Sequence, residues 1–340
     1  ILTHGHGDHR GGLRVWQDGS VEVIAQRQYE EFRHYQERLR GFFARRNIAQ
    51  FGGVPGSTLL AGGDPSPGNQ AADVEATILF DDRYDLELGG VKLEIHHTPG
   101  ETWDALSVWI PEWKVAFVGD NFYASFPNIY TLRGTRPRWA LDYVASLDKV
   151  LSWQPEIVLP SHGLPVVGRD EVQRQLTRYR DAILHVHDAV VAGMNEGKGV
   201  HALMQEISLP PELEVGEGYG TLSWSVRGIY EGYVGWYDGE AATLYDVPRS
   251  AVSDDLVELA GGVDGMVTRA RERLAAGEPV EALHLVDVAL EGIPGDRAAL
   301  EVKVSVLEAL MAASENSNEK GWLASALAQT RQRLAALDDD

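Results

Sequence analysis

The chain has 340 residues, 51 acidic against 30 basic, for a formal net charge of −21; that balance disfavours nucleic acids and anionic membrane surfaces, which are held chiefly by Lys and Arg. With no cysteine, disulfides and thiolate metal ligands are excluded. No apolar run reaches the roughly 18 residues of a membrane span, whereas a small anionic ligand is compatible with a pocket that concentrates a few arginines. The length suggests two domains. Residues 1–3 resemble the tail of a strand and there is no initiator Met. The expectation is an N-terminally truncated sheet, and the sequence assigns no compartment because a leader would lie upstream.

Residues 21–25 alternate as a short strand, and 27–46 carry helical spacing with many charges. Arg38, Arg40, Arg45 and Arg46 of that helix form a solvated face in this reading, the alternative being that they flank the entrance of a site and attract an anion. An irregular loop is expected over 52–70, where Gly52, Gly53, Pro55, Gly56 and Gly62 interrupt regular structure. Strand-like runs follow at Val91–His97, Leu106–Ile110 and 115–118, punctuated by Pro99-Gly100 and Pro111-Glu112. Next come a helix over 138–151 and a buried strand at 157–159. A long amphipathic helix is expected at Arg169–Asn195, whose Val172, Leu176, Tyr179, Ile183, Val186, Val190 and Met194 share one face. Strands alternating with helices imply an α/β sandwich whose loops carry the chemistry. Past Asp246, Trp and Tyr nearly vanish, and helical stretches at 263–276, 279–290, Arg297–Ala313 and 322–337 predict an all-α second domain. The expected division is 1–245 and 246–340.

The strongest chemical signal is His4-Gly5-His6-Gly7-Asp8-His9, three imidazoles and one carboxylate within six residues. Such donors suit Zn²⁺ and its first-row neighbours. The glycines permit a tight turn, so His4 and His6 can serve one ion while Asp8 and His9 serve another. An isolated histidine is more often a satisfied core or surface residue; four potential ligands on a glycine-interrupted loop have no comparable structural use.

This segment, with Arg10-Gly11-Gly12 after it, resembles the signature loop of the metallo-β-lactamase superfamily. The resemblance implies an αββα sandwich, two Zn²⁺ ions per chain and three further ligands, each following a strand. His97-Thr98-Pro99-Gly100-Glu101 is similar to the third motif, with Glu101 where a His is commonest. Phe117-Val118-Gly119-Asp120 offers a bridging Asp120, and Leu159-Pro160-Ser161-His162-Gly163 offers His162. The implied ligands are His4, His6 and Glu101 for the first metal and Asp8, His9 and His162 for the second. Asp120 joins the two, and Asp8 and Asp120 are the candidate catalytic carboxylates around a shared water. Asp104 is a rival donor or an orienting partner. His96, His97, His185 and His187 are taken as structural.

A carboxylate at the third motif, nineteen residues before the bridging carboxylate, resembles the alkyl sulfatase branch. Asn128-Ile129-Tyr130-Thr131-Leu132-Arg133-Gly134 is similar to the segment that holds sulfate there, which makes Asn128 and Arg133 anion-binding candidates. A guanidinium fork also matches two oxygens of a sulfate on physical grounds. Arg136 and Arg138 are expected to be solvated surface charges. Gly218-Tyr219-Gly220-Thr221-Leu222-Ser223 looks like the end of that branch's catalytic domain, and the tail from Ala260 resembles its dimerisation domain, which implies a homodimer through the C-terminal helices.

Three departures stand out. Asp120 replaces a Glu, Thr102-Trp103-Asp104 follows Glu101 where Ala and Pro flank the family's carboxylate, and Trp224 falls where a sulfate-contacting His is expected. Tyr219 and Trp224 complete the substrate-binding candidates, although an indole can line an apolar pocket but accepts no proton. The resemblance implies hydrolysis of alkyl sulfate esters to an alcohol and inorganic sulfate. Hydrolysis of a lactone, thioester or phosphate ester shares the ligand loop, and a noncatalytic dimerising fragment is a third reading.

Overall fold

A computed structural model describes residues 1–16, 21–52 and 75–338. The expected loop at 52–70 lies outside the described residues beyond Gly52. By contact density the chain divides into two compact units, one of residues 1–48 and 56–233 and one of residues 49–55 and 234–340.

The first unit is built in four layers. Strand β1 (Ile24–Gln26) pairs in parallel with β2 (Ile78–Phe80). A second, six-stranded sheet runs in sequence order through β3 (Arg83–Leu88), β4 (Val91–His97), β5 (Leu106–Ile110), β6 (Val115–Gly119), β7 (Ile157–Pro160) and β8 (Val166–Val167). Its pairs are antiparallel except β6 with β7, which are parallel. Every residue of β5 is buried, because alternation along a central strand sends its side chains into two different cores. Leu106 and Val108 meet Ile24 and Phe80 of the small sheet, while Trp109 joins the core under the helices. That core is covered by α4 (Ala140–Ser152) through Tyr143, Val144 and Leu147, and by α5 (Arg169–Asn195) through Leu176, Tyr179, Ile183 and Val186. On the far face of β1, Val23 and Ala25 pack with Leu2 and with Tyr29 of α2 (Gln28–Arg38). Helix, small sheet, large sheet and helices therefore stack as αββα.

One turn of helix, α1 (Gly7–Arg10), precedes these elements. The helix expected over 27–46 is broken: α2 stops at Leu39, whose φ of −107° and ψ of 15° are not helical, and α3 (Arg40–Phe51) resumes after it. Two short helices, α6 (Val200–Glu206) and α7 (Leu222–Val234), close the unit.

The second unit contains α8 (Ser253–Leu259), α9 (Val263–Ala275), α10 (Pro279–Gly292), α11 (Arg297–Ala313) and α12 (Ser317–Ala336). Its core is aliphatic, with Val267, Ala270, Val286, Ala289, Leu300 and Val306 among its buried residues. The starts of α11 and α12 follow from capping chemistry. Asp296 accepts from the Ala299 amide at 2.7 Å, and Asn316 accepts from the amides of Asn318 and Glu319, satisfying donors with no partner inside the helix. The Asn316 cap makes α12 begin five residues ahead of the expected Trp322.

Candidate metal centre

Two backbone hydrogen bonds fix the opening loop. The Leu2 amide donates to Ile24 O at 2.9 Å and the Leu106 amide to Thr3 O at 2.8 Å, so residues 2–3 are stitched between β1 and β5. Gly5 is required sterically, since a Cβ there would lie 2.3 Å from Cδ1 of the buried Phe32 ring. The single turn of α1 then carries Asp8 and His9 back past His4, whose ring centroid lies 4.1 Å from that of His9. At the end of β6, Gly119 adopts a φ of +57° beside a register irregularity with β7, and Asp120 follows it directly. Gly119 also lets Thr3 approach, because a Cβ would sit 3.2 Å from Thr3 Cβ.

Six of the seven ligand candidates fall into two close donor groups, and Glu101 borders the first of them through His6. Donor atoms of His4, His6 and Asp120 lie within 4.8 Å of one another, and so do those of Asp8, His9 and His162. Asp120 Oδ2 stands between the groups, 3.7 Å from His4 Nε2, 3.3 Å from His9 Nε2 and 3.5 Å from His162 Nε2. Asp8 Oδ2 is 3.2 Å from both His9 Nε2 and His162 Nε2. His4 Nε2 faces His6 Nδ1 at 2.9 Å, and Glu101 Oε1 lies 3.8 Å from that same His6 Nδ1.

Charge distribution in the cluster suits cations. Burial lowers the pKa of His4 to about 3, outweighing the nearby Asp120 carboxylate. Burial also favours neutral His9, yet Asp120 and Asp8 push its pKa up to about 9. Hydrogen bonds to Asp120 and Asp8 push His162 up to about 10. Despite burial, which raises them, Asp8 and Asp120 are held well below the ordinary carboxylate range by the imidazoles. Protons on His9 and His162 thus occupy the place of positive charge. Asp120 Oδ1 is buried and has no hydrogen-bond partner among the described residues, and a donor set of imidazoles and carboxylates with such an unspent oxygen fits divalent metal ions.

Around this cluster the sequence expectations fare unevenly. Arg133 Nη2 reaches His6 Nε2 at 3.1 Å, so the anion-binding candidate borders the ligand group. Asn128 is buried, its amide donating to the Tyr123 hydroxyl at 2.9 Å and its carbonyl accepting from Arg138 at 2.8 Å. Tyr219 stacks edge-on against Tyr123 at 5.6 Å, and burial together with Glu101 pushes its pKa up to about 12. The adjoining Gly220 allows this approach, because a Cβ would fall 2.4 Å from Pro127 O. Trp224 is half-buried on the first turn of α7, and no hydrogen bond or ring contact joins its indole to the ligand cluster among the described residues. Asp104 is buried near the Gly5 amide, with its pKa pushed up to about 6 by burial; among the described residues no hydrogen bond or ion pair joins it to His6 or Glu101. His96 pairs with Glu94 at 3.1 Å and His97 with Trp103 O at 2.9 Å. His185 bonds to Ser208 O at 3.1 Å and His187 to the Tyr233 hydroxyl at 2.9 Å.

Two arginines are misplaced by sequence reading. Arg138, expected in solvent, is buried, and its Nη1 lies 2.5 Å from Glu101 Oε2. It turns inward because Glu101 offers a buried charge for it to pair with, a relation invisible along the sequence. Arg46, assigned to a solvated face, donates to Leu132 O at 2.5 Å and Arg133 O at 2.8 Å, because the break at Leu39 redirects α3 toward that loop. Arg136 is exposed, over the Trp103 ring at 4.4 Å and paired with Glu31 at 3.1 Å.

Comparison with known proteins agrees with this architecture. The metallo-beta-lactamase superfamily profile matches residues 1–162, and the alkyl sulfatase dimerisation profile matches residues 200–333. The chain is thus similar to the metallo-β-lactamase superfamily over its first half and to the alkyl sulfatase dimerisation family over its last part. Among its relatives, a linear primary-alkylsulfatase of a Pseudomonas species is 32% identical, over 95% of this chain and 64% of that protein. The alkyl/aryl-sulfatase BDS1 of Saccharomyces cerevisiae is 26% identical, over 91% of this chain and 51% of that protein. The solved structure of the stereoselective inverting sec-alkylsulfatase Pisa1 from a Pseudomonas species superposes with a TM-score of 0.85 at 26% identity, covering 97% of this chain and 56% of that one. The chain thus spans between about half and two thirds of the length of these relatives.

Proposed function

We propose that the protein containing this chain is a binuclear zinc hydrolase that cleaves alkyl sulfate esters to an alcohol and inorganic sulfate. The observation that carries the reading is the pair of three-donor groups, His4 with His6 and Asp120 and Asp8 with His9 and His162, in which Asp120 Oδ2 also approaches His9 and His162 at 3.3 and 3.5 Å and the Arg133 guanidinium lies 3.1 Å from His6. His4, His6 and Glu101 would hold one ion, Asp8, His9 and His162 the other, and Asp120 both. When bound, the ions supply Lewis acidity and lower the pKa of a shared water toward neutrality, which makes it a nucleophile.

The remaining work falls to the chain itself. Arg133 and Asn128 hold the anionic head group, Arg133 with a planar fork that suits two sulfate oxygens. Arg46 fixes the carbonyls on either side of that fork. Tyr219, a phenol that is neutral at pH 7 and whose pKa burial raises further, would offer a hydroxyl donor rather than a second anion. Trp224, set apart from the donors, would contact the alkyl part of a substrate. The relatives named as alkylsulfatases support this substrate class, and the matched dimerisation profile supports a homodimer formed through the C-terminal helices.

Dialysis against a chelator should abolish hydrolysis of dodecyl sulfate by the full-length protein, and Zn²⁺ should restore it; full turnover without metal would overturn the mechanism. Arg133→Ala should raise KM for anionic esters about 10- to 100-fold, the worth of a charge-assisted hydrogen bond, with little change for neutral esters. Equal effects on both would remove Arg133 from the head-group site. Parallel assays with a lactone and a phosphodiester test the substrate class, since faster turnover of either would replace the sulfate assignment.

A further inference from the structure

Among the described residues, Arg138 is the one arginine whose guanidinium meets a ligand candidate as a close ion pair while both side chains are almost wholly removed from solvent, at 3% and 4% exposure. Glu101 Oε2 receives Arg138 Nη1 at 2.5 Å and the hydroxyl of the fully buried Tyr143 at 3.1 Å. Its other oxygen, Oε1, faces His6 Nδ1 at 3.8 Å. The same Arg138 Nη1 also donates to Asn128 O at 2.8 Å. The Glu101 backbone is fixed as well, its amide donating to Asn121 Oδ1 at 3.0 Å, with Asn121 Nδ2 donating to Thr98 O at 2.6 Å.

We infer that Arg138 and Tyr143 form a positioning clamp that reserves one oxygen of Glu101 for metal and joins the metal group to the Asn128 segment. The inference rests on the metal reading above. An ionised carboxylate has two acceptor oxygens, and left unheld it could chelate a single ion with both or swing away from it. With two donors on Oε2, only Oε1 is free to turn toward His4 and His6. Charge makes the same demand. A Glu among imidazole ligands brings a negative charge that a His would not, and the buried guanidinium neutralises it without competing for the ion. Both clamp residues come from the beginning of α4, Arg138 just ahead of it and Tyr143 on its first turn, so one rigid element sets both. Neither residue touches a reacting atom; their effect passes through Glu101.

The test is metal binding itself. Metal-free full-length wild type, Arg138→Met, Arg138→Lys and Tyr143→Phe would be titrated with Zn²⁺ against a chromophoric chelator, and with Co²⁺ followed by its visible bands. Wild type should take two ions per chain. Arg138→Met should weaken one of the two sites by about 10- to 100-fold, the usual effect of removing a residue that orients a ligand, and leave the other unchanged. Its Co²⁺ bands should alter in intensity as Glu101 changes its mode of coordination. Tyr143→Phe should shift the same site in the same direction by less, and Arg138→Lys should recover part of the lost affinity by restoring charge without the fork. Should Arg138→Met not fold, as judged by circular dichroism, Tyr143→Phe decides alone. Two ions bound with wild-type affinities and spectra in the variants would overturn the clamp and leave the metal reading standing. A wild type that takes up no ion would overturn both.

Discussion

His9 and His162 set the pH behaviour of the metal-free chain. Both titrate above the ordinary 6.5, at about 9 and about 10, because Asp8 and Asp120 lie against them. A histidine whose pKa is raised by folding contributes its full stabilisation below pH 6.5 and loses it as pH climbs through the folded value. The metal-free protein should therefore melt at a lower temperature at pH 10 than at pH 7, His162 contributing less because it is half exposed. Metal ligands must be deprotonated, so uptake of Zn²⁺ at pH 7 should release protons, up to roughly one from each of these two imidazoles. Calorimetry in two buffers of different ionisation heat measures that release, and its absence would contradict the protonation assigned to the pair. The candidate donors His4, His6, Asp8 and His9 stood out in sequence because metal chemistry admits few residue types and the motif crowds them together. Arg138 did not, since nothing in Arg136-Pro137-Arg138 indicates that Glu101 lies beside it.

Among the elements, the opening loop depends most on a residue with no side chain. A Cβ at Gly5 would meet the Phe32 ring at 2.3 Å, and α2 cannot retreat freely because Phe32 and Tyr29 are both buried against the unit. Gly5→Ala should cost about 1–3 kcal/mol, as other overpacked core sites do, and should weaken metal binding through His4 and His6. Urea denaturation gives the first number, and addition of Phe32→Ala should return part of the lost metal affinity; two independent, additive effects would show that ring and loop are not coupled. Periodicity identified β4, β5 and α5 well, because their apolar residues repeat at the period of a strand or a helix. It passed over β3, whose Arg83-Tyr84-Asp85-Leu86-Glu87-Leu88 is largely exposed at a sheet edge, and it fused α2 with α3 because the break at Leu39 contains neither Gly nor Pro.

At the level of the whole molecule, the second unit leaves Leu256 and Leu259 of α8 exposed, at 44% and 84%, beside an otherwise well-filled aliphatic core. Sedimentation equilibrium should give twice the chain mass of 37.4 kDa. With −21 per chain, two copies repel at long range, so the association should tighten between about 20 mM and 500 mM salt as screening shortens. A monomer at both salt concentrations would exclude dimerisation by this chain.

The candidate donors stand on four loops, which follow residue 3, β4, β6 and β7. Loops of this kind ordinarily open one at a time, each with its own small free energy. A pair of ions gripped by all four would forbid that independence, since no loop could leave without surrendering a charge its neighbours still need. This face would then breathe as one body, and an ion lost from it would loosen segments that are remote from each other along the chain.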